Sequence, residues 1–382
     1  MKIISLEYEN RATQWKLLPT TFGNLTLLVG VSGVGKTQIL KSILDLKKIA
    51  NGESLNGVKW NIKIKIGKDE YTWKGEFEYK TMSLEEHLLE EIPIISRERR
   101  YKIKSESLRS ETEELVNRNE GSISFKGNKT PKLSGNKSIL ELFNGEDSIS
   151  VIQSGFNKVI DVEAFSPIPH SFLAFSLLGD DDFKSMLKKH DNLEKIKSSS
   201  LPLELKLALV YKNEPKAFNE IKEHFIEIFP QVEDIRVEPL KNKASSLLSY
   251  PLLQIKEKNV EKWILPNRIS SGMRKTLAYL SYFYLSSEET VILIDEFENS
   301  LGVNCINVLR ENLITNSLQF IITSHHPYII NNIKPEFWKL VTRRGGVVST
   351  HSCSELGFGR SHHKAFIQLI NNDFYTEGIQ IQ

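Results

Sequence analysis

Three glycines and a lysine–threonine pair lie close together in the stretch LLVGVSGVGKTQIL, residues 27–40. Glycines at this spacing let the backbone curl so that successive N–H groups face phosphate oxygens, and a following helix adds its positive end. The lysine would neutralise phosphate charge, and the threonine hydroxyl would reach Mg²⁺. The pattern GxxxxGK[ST] therefore predicts a phosphate-binding P-loop rather than a simple turn between strand and helix. The predicted nucleotide contacts are Gly30, Val31, Ser32, Gly33, Val34, Gly35, Lys36, Thr37 and Gln38.

Two carboxylates, Asp295 and Glu296, directly follow the apolar run VILI in SEETVILIDEFENS. Such a run predicts a buried parallel strand, and ligands of open α/β sheets bind at the carboxyl ends of these strands. Adjacent carboxylates there are costly unless a cation and a polarised water share the charge. We predict that Asp295 joins Thr37 around Mg²⁺ and that Glu296 is the general base. The alternative is an acidic loop after a core strand.

Ser270, Ser271 and Gly272 precede a helix-patterned segment in NRISSGMRKTLAYLSYFYL. They bring hydroxyls and N–H groups to a helix N-terminus, which favours anions. Taken alone, the stretch is explained more simply by a serine N-cap. If it lies on a separate lobe from the P-loop, this anion site cannot reach the phosphate that its own P-loop holds.

A further apolar run ends in two histidines, in the stretch LQFIITSHHPYII. A histidine at a strand end is more often structural, but the order of this run after the acidic strand favours function. The register favours His325 over its neighbour His326.

The elements that position these groups follow from hydrophobic periodicity. KIISLEYEN and NLTLLVG predict strands, and apolar residues after Lys36 recur at helical spacing up to a stop near Gly52. VKWNIKIKIGKDEYTWKGEFEYK predicts an antiparallel hairpin with a solvated lysine face. The polar residues from Ser96 to Asp147 predict a mobile lobe or insertion, which is followed by a helical subdomain.

Composition limits the classes of function. The chain has 382 residues with 50 Lys and Arg against 48 Asp and Glu, so nucleic-acid binding would need a local basic patch. Arg97, Arg99 and Arg100 could bind DNA or a partner, although a solvated turn is the simpler interpretation. Two distant cysteines argue against disulfides or a zinc site, and no apolar run could cross a bilayer. We expect a soluble, cytoplasmic protein that does not contact the membrane.

The stretch ISSGMRK, residues 269–275, resembles the LSGGQ signature of ABC-type ATPases in the SSG form of their RecF, OLD and structural-maintenance-of-chromosomes relatives. It departs from that pattern at Ser271 and Met273. In that superfamily two subunits face head to tail, and each signature serine caps the γ-phosphate of ATP on the other subunit's P-loop. The resemblance therefore implies ATP and Mg²⁺ as cofactors, a homodimer, and Ser270, Ser271 and Gly272 as nucleotide contacts.

Two further stretches extend this resemblance. NSLG, residues 299–302, looks like the D-loop that contacts the facing subunit, and His325 looks like the switch histidine that senses γ-phosphate. A Q-loop glutamine has no clear position: Gln153 is one candidate, and the segment ISRERRYK, residues 95–102, could serve a similar region.

The resemblance covers approximately residues 1–80 and 235–345. It implies an α/β fold, namely an ABC-ATPase-type P-loop NTPase with a mixed β-sheet core, an antiparallel β lobe and a helical insertion. Its segments would be a core part at 1–95, the insertion and helical subdomain at 96–235, and a second core part at 236–382 with the signature, acidic strand, D-loop and switch histidine.

Within this superfamily the chain most resembles compact OLD-like and RecF-like AAA ATPases of bacterial anti-phage operons, such as those of Septu and retron systems. These commonly work with a separately encoded nuclease or toxin. The resemblance implies a slow regulatory ATPase whose nucleotide state controls such an effector, with DNA or RNA contact left open. The alternative is a RecF-like or SMC-like DNA-binding ATPase in repair or maintenance. A nuclease is disfavoured, because no second acidic cluster is visible.

Overall fold

The computed structural model describes residues 1–81, 83, 100–119, 121–162, 165, 180–239, 251–359 and 361–378. The chain divides into two compact units. Unit 1 comprises Met1–Asp161, Glu289–Phe297 and Gln319–Gln382, and unit 2 comprises Val162–Glu288 and Glu298–Leu318. Arg97, Arg99 and residues 170–179, where basic contacts and helical patterning are predicted, lie outside the described residues.

The elements of the first part of the chain are β1 (Lys2–Asn10), β2 (Trp15–Thr21), β3 (Leu25–Val29), α1 (Lys36–Ala50), β4 (Val58–Ile66), β5 (Asp69–Phe77), β6 (Ile103–Ser110), β7 (Glu114–Asn119), β8 (Ser122–Phe125), β9 (Asn128–Lys129), α2 (Ile139–Leu142), α3 (Asp147–Asn157) and β10 (Val159–Asp161).

The elements that follow are α4 (Asp180–Lys189), α5 (Leu193–Ser198), α6 (Leu203–Asn213), α7 (Pro215–Ile228), β11 (Val232–Pro239), β12 (Pro251–Glu257), α8 (Ser271–Leu285), β13 (Val291–Ile294), α9 (Val303–Thr315), β14 (Gln319–Thr323), α10 (Pro327–Asn332), β15 (Trp338–Arg344), β16 (Val347–Ser352), α11 (His362–Ile370) and α12 (Asp373–Thr376). Short 3₁₀ turns occur at Pro266–Arg268 and Pro335–Phe337.

Unit 1 is organised by one large mixed sheet. Its described strands follow the order β10-β13-β14-β3-β15-β16-β2-β1-β4-β5-β6-β7-β8-β9. Neighbours from β10 to β15 are parallel, and neighbours from β2 to β9 are antiparallel. This architecture confirms the predicted α/β fold with an antiparallel β lobe.

The parallel strands form the buried centre of unit 1. All residues of β3, β13 and β14 are buried, as their continuous apolar runs predict. In α1 the buried apolar positions recur at helical spacing, which places one face of the helix in the core. Because β3, β14 and β13 are parallel neighbours, their carboxyl ends meet at one edge of the sheet.

The predicted hairpin forms β4 and β5, which pair from Lys59 with Glu76 to Ile66 with Asp69. Trp60 and Trp73 lie on its buried face with ring centroids 5.1 Å apart. Gly75 is required beside them, because a Cβ there would overlap the Trp60 indole.

The described residues between 100 and 147 correct the interpretation of that segment as a mobile lobe or insertion. Residues 103–129 form β6 to β9, and β6 pairs with β5 along its length. A buried ion pair joins two of these strands: Arg118 lies 3.4 Å from Glu106, and their side chains are 4% and 0% exposed. Trp73 and Ser138 also donate hydrogen bonds to Glu106. Burial raises the pKa of Glu106, and Arg118 opposes that rise.

The unit boundaries also differ from the predicted segments at 95/96 and 235/236. Residues 100–161 belong to unit 1, because their strands continue the large sheet. The antiparallel pair β11–β12 and the helices α8 and α9 belong to unit 2, where α8 packs on α6 and α7. In the described part of the chain, no helix combines the length and apolar character needed to cross a membrane.

Replacing Arg118 with methionine is expected to lower the unfolding free energy of unit 1 by about 3–5 kcal/mol, because the Glu106 carboxylate would stay buried without its cation. Urea unfolding followed by tryptophan fluorescence measures this, since Trp73 contacts Glu106. The matched control is Arg109→Met. Arg109 pairs with Glu114 at the exposed surface, so its loss should change the midpoint little. An Arg118→Met protein as stable as the control would refute the assignment of this segment to the core.

Candidate functional site

The P-loop connects β3 to α1 and depends on its glycines. Gly30, Gly33 and Gly35 have positive φ angles of 147°, 86° and 102°, a region that favours glycine. At Gly30 there is also no room for a side chain, because a Cβ would lie 2.8 Å from the Val341 carbonyl oxygen. The loop leads directly into α1, which begins at Lys36. The predicted strand, glycine loop and helix are therefore all present.

Lys36 lies folded against the loop that precedes it. Its ammonium donates hydrogen bonds to the carbonyl oxygens of Gly30 at 2.7 Å and Val31 at 3.0 Å. The side chain is 9% exposed, so the positive charge is held inside the loop. A positive charge held in this way is suitable for binding a polyanion, because the oxygens of the anion could replace the two carbonyl oxygens as partners of the Lys36 ammonium. The neighbouring Thr37 and Gln38 are exposed at the start of α1.

A hydrogen bond joins the P-loop helix to the acidic strand end. The Thr37 hydroxyl donates to Asp295 Oδ2 at 2.8 Å, although the two residues are 258 positions apart in the chain. Asp295 follows β13 and is half-buried. The two residues predicted to meet around Mg²⁺ thus lie side by side at the carboxyl edge of the sheet.

Thr323, the last residue of β14, completes this arrangement and was not predicted. Its hydroxyl donates to Asp295 Oδ1 at 2.6 Å and accepts from the Glu296 N–H at 2.8 Å. Thr323 is fully buried, so this hydroxyl is fixed in place. One signal could have found it: a hydroxyl at the end of the strand beside the acidic strand falls at the same sheet edge.

Glu296 has the backbone conformation of a residue held in place by its surroundings. Its φ angle is 45°, which is uncommon outside glycine. The hydrogen bond from its N–H to Thr323 helps to hold this conformation. Glu296 is exposed and directly follows Asp295 in the chain.

The two adjacent histidines differ in their surroundings. His326 is the N-cap of α10, and its Nδ1 accepts a hydrogen bond from the Tyr328 N–H at 3.2 Å. His325 is exposed and directly follows Ser324, at the same edge as Asp295. The His326 ring thus has a capping function, and the choice of His325 as the candidate sensor stays a prediction.

The oxygen atoms at this edge fit Mg²⁺ with a bound nucleotide. Mg²⁺ prefers oxygen ligands and is commonly held by one or two protein groups together with substrate phosphates and water. Thr37 and Asp295 would supply the protein oxygens. Among the described residues no group of three His, Cys, Asp or Glu side chains could hold a metal alone. A cation here would therefore depend on the nucleotide for its remaining ligands.

The signature residues belong to unit 2. Ser270 caps α8, and its hydroxyl accepts a hydrogen bond from the Met273 N–H at 3.2 Å. The simpler interpretation of this stretch, a serine N-cap, is therefore confirmed. Both Ser270 and Ser271 are exposed, which leaves the helix N-terminus accessible. Gly272 adjoins the predicted D-loop, since a Cβ there would lie 2.6 Å from the Ser300 carbonyl oxygen.

The assignment of Gln153 to a Q-loop is wrong. Gln153 lies on α3 and donates to the Ala50 carbonyl oxygen at 3.1 Å and to Glu141 at 2.8 Å. Ala50 is the last residue of α1. At the rise of an α-helix this end lies about 20 Å from Lys36, too far for a nucleotide contact.

Comparison with known proteins supports this description. The family model "AAA domain, putative AbiEii toxin, Type IV TA system" matches residues 25–331, from β3 to α10. A solved structure of an SmcHead bound to the C-winged helix domain of ScpA is similar, with a TM-score of 0.51 and 14% identity over 92% of this chain and 97% of that chain. At this identity the similarity shows a shared fold. A search of curated proteins finds no match.

Two further head domains were also found. One is an Smc head domain with an extended coiled coil bound to the C-terminal domain of ScpA derived from Pyrococcus furiosus, with a TM-score of 0.45 and 14% identity over 93% of this chain and 98% of that chain. The other is the SMC head domain from Thermotoga maritima, with a TM-score of 0.41 and 13% identity over 92% and 99%.

Thr323→Val should lower ATP turnover by about 10- to 100-fold, the usual effect of removing a partner of a metal ligand. The valine would leave Asp295 Oδ1 and the Glu296 N–H without their present partner, while Lys36 and the P-loop remain intact. ATP affinity should therefore change little. Steady-state phosphate release and ATP titration measure the two effects. Thr20→Val is the matched control, because it removes a buried hydroxyl from β2. Equal turnover in the two variants would refute the assignment to Thr323.

Proposed function

Since the chain belongs to this AAA family and shares the Smc-head fold, we propose that it is a slow, regulatory ATPase whose ATP-bound form is a head-to-tail homodimer controlling a separately encoded effector in bacterial anti-phage defence. One observation carries the ATPase assignment. The Thr37 hydroxyl and the Asp295 carboxylate meet beside the P-loop, and Glu296 follows at the same edge. We expect it to act in the cytoplasm.

The proposed chemistry assigns one task to each side chain. Lys36 would exchange its bonds to loop carbonyls for bonds to β- and γ-phosphate oxygens. Thr37 and Asp295 would hold Mg²⁺, and the ion would neutralise charge on the phosphates. Glu296 accepts a proton from the attacking water. His325 senses the γ-phosphate, because it lies at the end of the neighbouring strand.

A second copy is proposed to complete the site. The P-loop belongs to unit 1, and the signature belongs to unit 2. The exposed N-terminus of α8, with the hydroxyls of Ser270 and Ser271, offers donors and a positive helix end to an anion. We assign it to the γ-phosphate on the P-loop of the facing copy, as the resemblance to ABC-type signatures implies.

Control of an effector is the broader part of this proposal. The fold accommodates partner binding, since the similar SmcHead was solved in complex with a domain of ScpA. The family description refers to a toxin of a toxin–antitoxin system. The open and closed states of an ATP-dependent dimer present different surfaces. An effector that binds one state better than the other would therefore be held or released according to the bound nucleotide.

Glu296→Gln should retain ATP binding, lower hydrolysis by at least about 100-fold through loss of the general base, and accumulate dimer. The protein encoded beside this chain should then co-purify with it in one nucleotide state only. Size-exclusion chromatography with light scattering gives the oligomer, and tagged pull-down with and without MgATP gives the partner. Lys36→Ala, which loses phosphate binding, is the control. If no neighbouring protein binds in either state, effector control is refuted.

Ser270→Arg should lower ATP hydrolysis by about 100-fold while the monomer binds ATP with nearly unchanged affinity, because the arginine obstructs closure and not the P-loop. Ser270→Ala removes only the N-cap hydrogen bond that the Ser270 hydroxyl accepts from the Met273 N–H. Its loss of hydrolysis should be smaller, which separates loss of the cap from obstruction by the arginine. Ser361→Arg is the matched control, since Ser361 is an exposed N-cap on α11 without a capping bond. Normal hydrolysis by the Ser270→Arg protein would rule out the site shared between copies.

A second candidate, an SMC-like DNA-binding ATPase, is favoured by one surface. A cavity of about 770 Å³ in the β lobe is lined by the exposed lysines 102, 129 and 132, with no carboxylate among its described lining residues. Such a surface could contact phosphates. ATP-dependent DNA binding that weakens steeply with salt would favour this candidate over effector control.

A further inference from the structure

Arg343, at the end of β15, contacts the P-loop from outside the predicted motif. Its guanidinium Nη1 donates to the Gly33 carbonyl oxygen at 3.3 Å, and its Nε donates to the Gly345 carbonyl oxygen at 2.6 Å. Its backbone N–H donates to the Gly378 carbonyl oxygen at 2.8 Å. One residue therefore links the P-loop, the β15–β16 turn and the segment 373–378, all within unit 1.

Gly378 contacts the same loop by packing. It is buried, and its φ angle is 66°. A Cβ there would lie 2.6 Å from Val34 Cγ1 and 2.7 Å from Val31 Cγ2. Only glycine allows segment 373–378 to approach the P-loop this closely. The segment itself is anchored by α12, where Phe374 packs against His351 with ring centroids 5.6 Å apart.

The peptide between Gly33 and Val34 needs such an external contact. Gly33 has a φ angle of 86°, and no atom lies within 4 Å of the place where its Cβ would be. Val34 is buried on one side of this peptide, but on the Gly33 side no packing contact orients it, and glycine itself imposes little restriction. In a trans peptide the C=O and the following N–H point in opposite directions. The bond from Arg343 to the Gly33 oxygen therefore also sets the direction of the Val34 N–H.

We infer that Arg343 and Gly378 form a brace, defined by these two residues, which holds the P-loop with its N–H groups turned toward a bound phosphate. Arg343 is then a positioning residue for ATP. It acts through the Gly33–Val34 peptide, while Lys36 and Asp295 would contact the nucleotide and its metal. The inference rests on the proposed function, because it concerns the affinity of the P-loop for MgATP.

Arg343→Ala should raise the dissociation constant for MgATP by about five- to tenfold, the usual effect of losing one solvent-exposed hydrogen bond. The KM should rise with it, and kcat should stay near the wild-type value because Thr37, Asp295 and Glu296 are unchanged. Arg343→Lys should recover part of the affinity, since an ammonium can still donate to Gly33. Arg344→Ala is the matched control, because its side chain is also exposed on the same strand.

Gly378→Ala tests the packing half of the brace. The methyl group should displace Val31 and Val34 and raise the dissociation constant for MgATP by a similar factor. Gly357→Ala is the control for backbone strain, since Gly357 also has a positive φ angle, 69°, with nothing within 4 Å of its Cβ position. Any loss of affinity in Gly378→Ala beyond that of Gly357→Ala measures contact with the loop.

Calorimetric titration of the full chain with MgATP, together with the unfolding midpoint of each nucleotide-free variant, separates the outcomes. The brace predicts weaker binding in Arg343→Ala and Gly378→Ala, with a midpoint for Arg343→Ala equal to that of the Arg344→Ala control. Wild-type affinity in both variants would overturn the brace and leave the ATPase assignment standing. Absence of MgATP binding to the wild-type chain would overturn the proposed function and the brace with it.

Discussion

The two hydrogen bonds that Asp295 accepts from Thr37 and Thr323 hold the candidate site together. They join the first turn of α1 to the ends of β13 and β14, two strands that lie far from α1 in the sequence. Both bonds form only while α1, β13 and β14 keep their relative places. The order of the parallel strands provides this, because β3, β14 and β13 are neighbours whose carboxyl ends lie at one edge. The order of the parallel strands in the sheet therefore determines which residues meet at the site.

Much of this core could be predicted from sequence, because local patterns determine it. Glycines with positive φ between an apolar strand and an amphipathic helix have few alternatives, and the P-loop has the predicted form. The runs VILI and QFIIT are buried on all sides, so they read as parallel strands, and their ends carry Asp295 and His325 as expected. At both positions the candidate functional residue follows a strand that its apolar run already predicts.

The errors arise where contacts between distant residues decide the structure. Residues 103–129 are rich in polar residues, yet they continue the sheet. Two of the buried positions carry Glu106 and Arg118, so the alternation of apolar and polar residues that predicts a strand is interrupted. Gln153 was misplaced because spacing does not show which end of α1 it faces. Thr323 was missed because a threonine at a strand end resembles an ordinary strand residue. Arg343 carries no motif at all, and only folding brings it to Gly33.

These observations give a consistent account of an AAA-family ATPase with an Smc-head fold. Unit 1 carries the P-loop, the acidic strand end and the exposed histidine, and unit 2 presents serine hydroxyls at an accessible helix N-terminus. In the proposed function, each copy is incomplete without the serine-capped helix of another. This makes hydrolysis dependent on association, as expected of a switch rather than a metabolic enzyme.

The most direct measurement mixes two inactive proteins, one carrying Lys36→Ala and the other Ser270→Arg, and records ATP hydrolysis. In a mixed dimer, one site combines an intact P-loop with an intact signature. If the intact site closes although the other site carries the arginine, random pairing of equal amounts should restore about a quarter of the wild-type rate, and the rate should depend on concentration. Hydrolysis that stays at the level of the separate variants, at concentrations where mixed dimers form, would contradict a site shared between two copies.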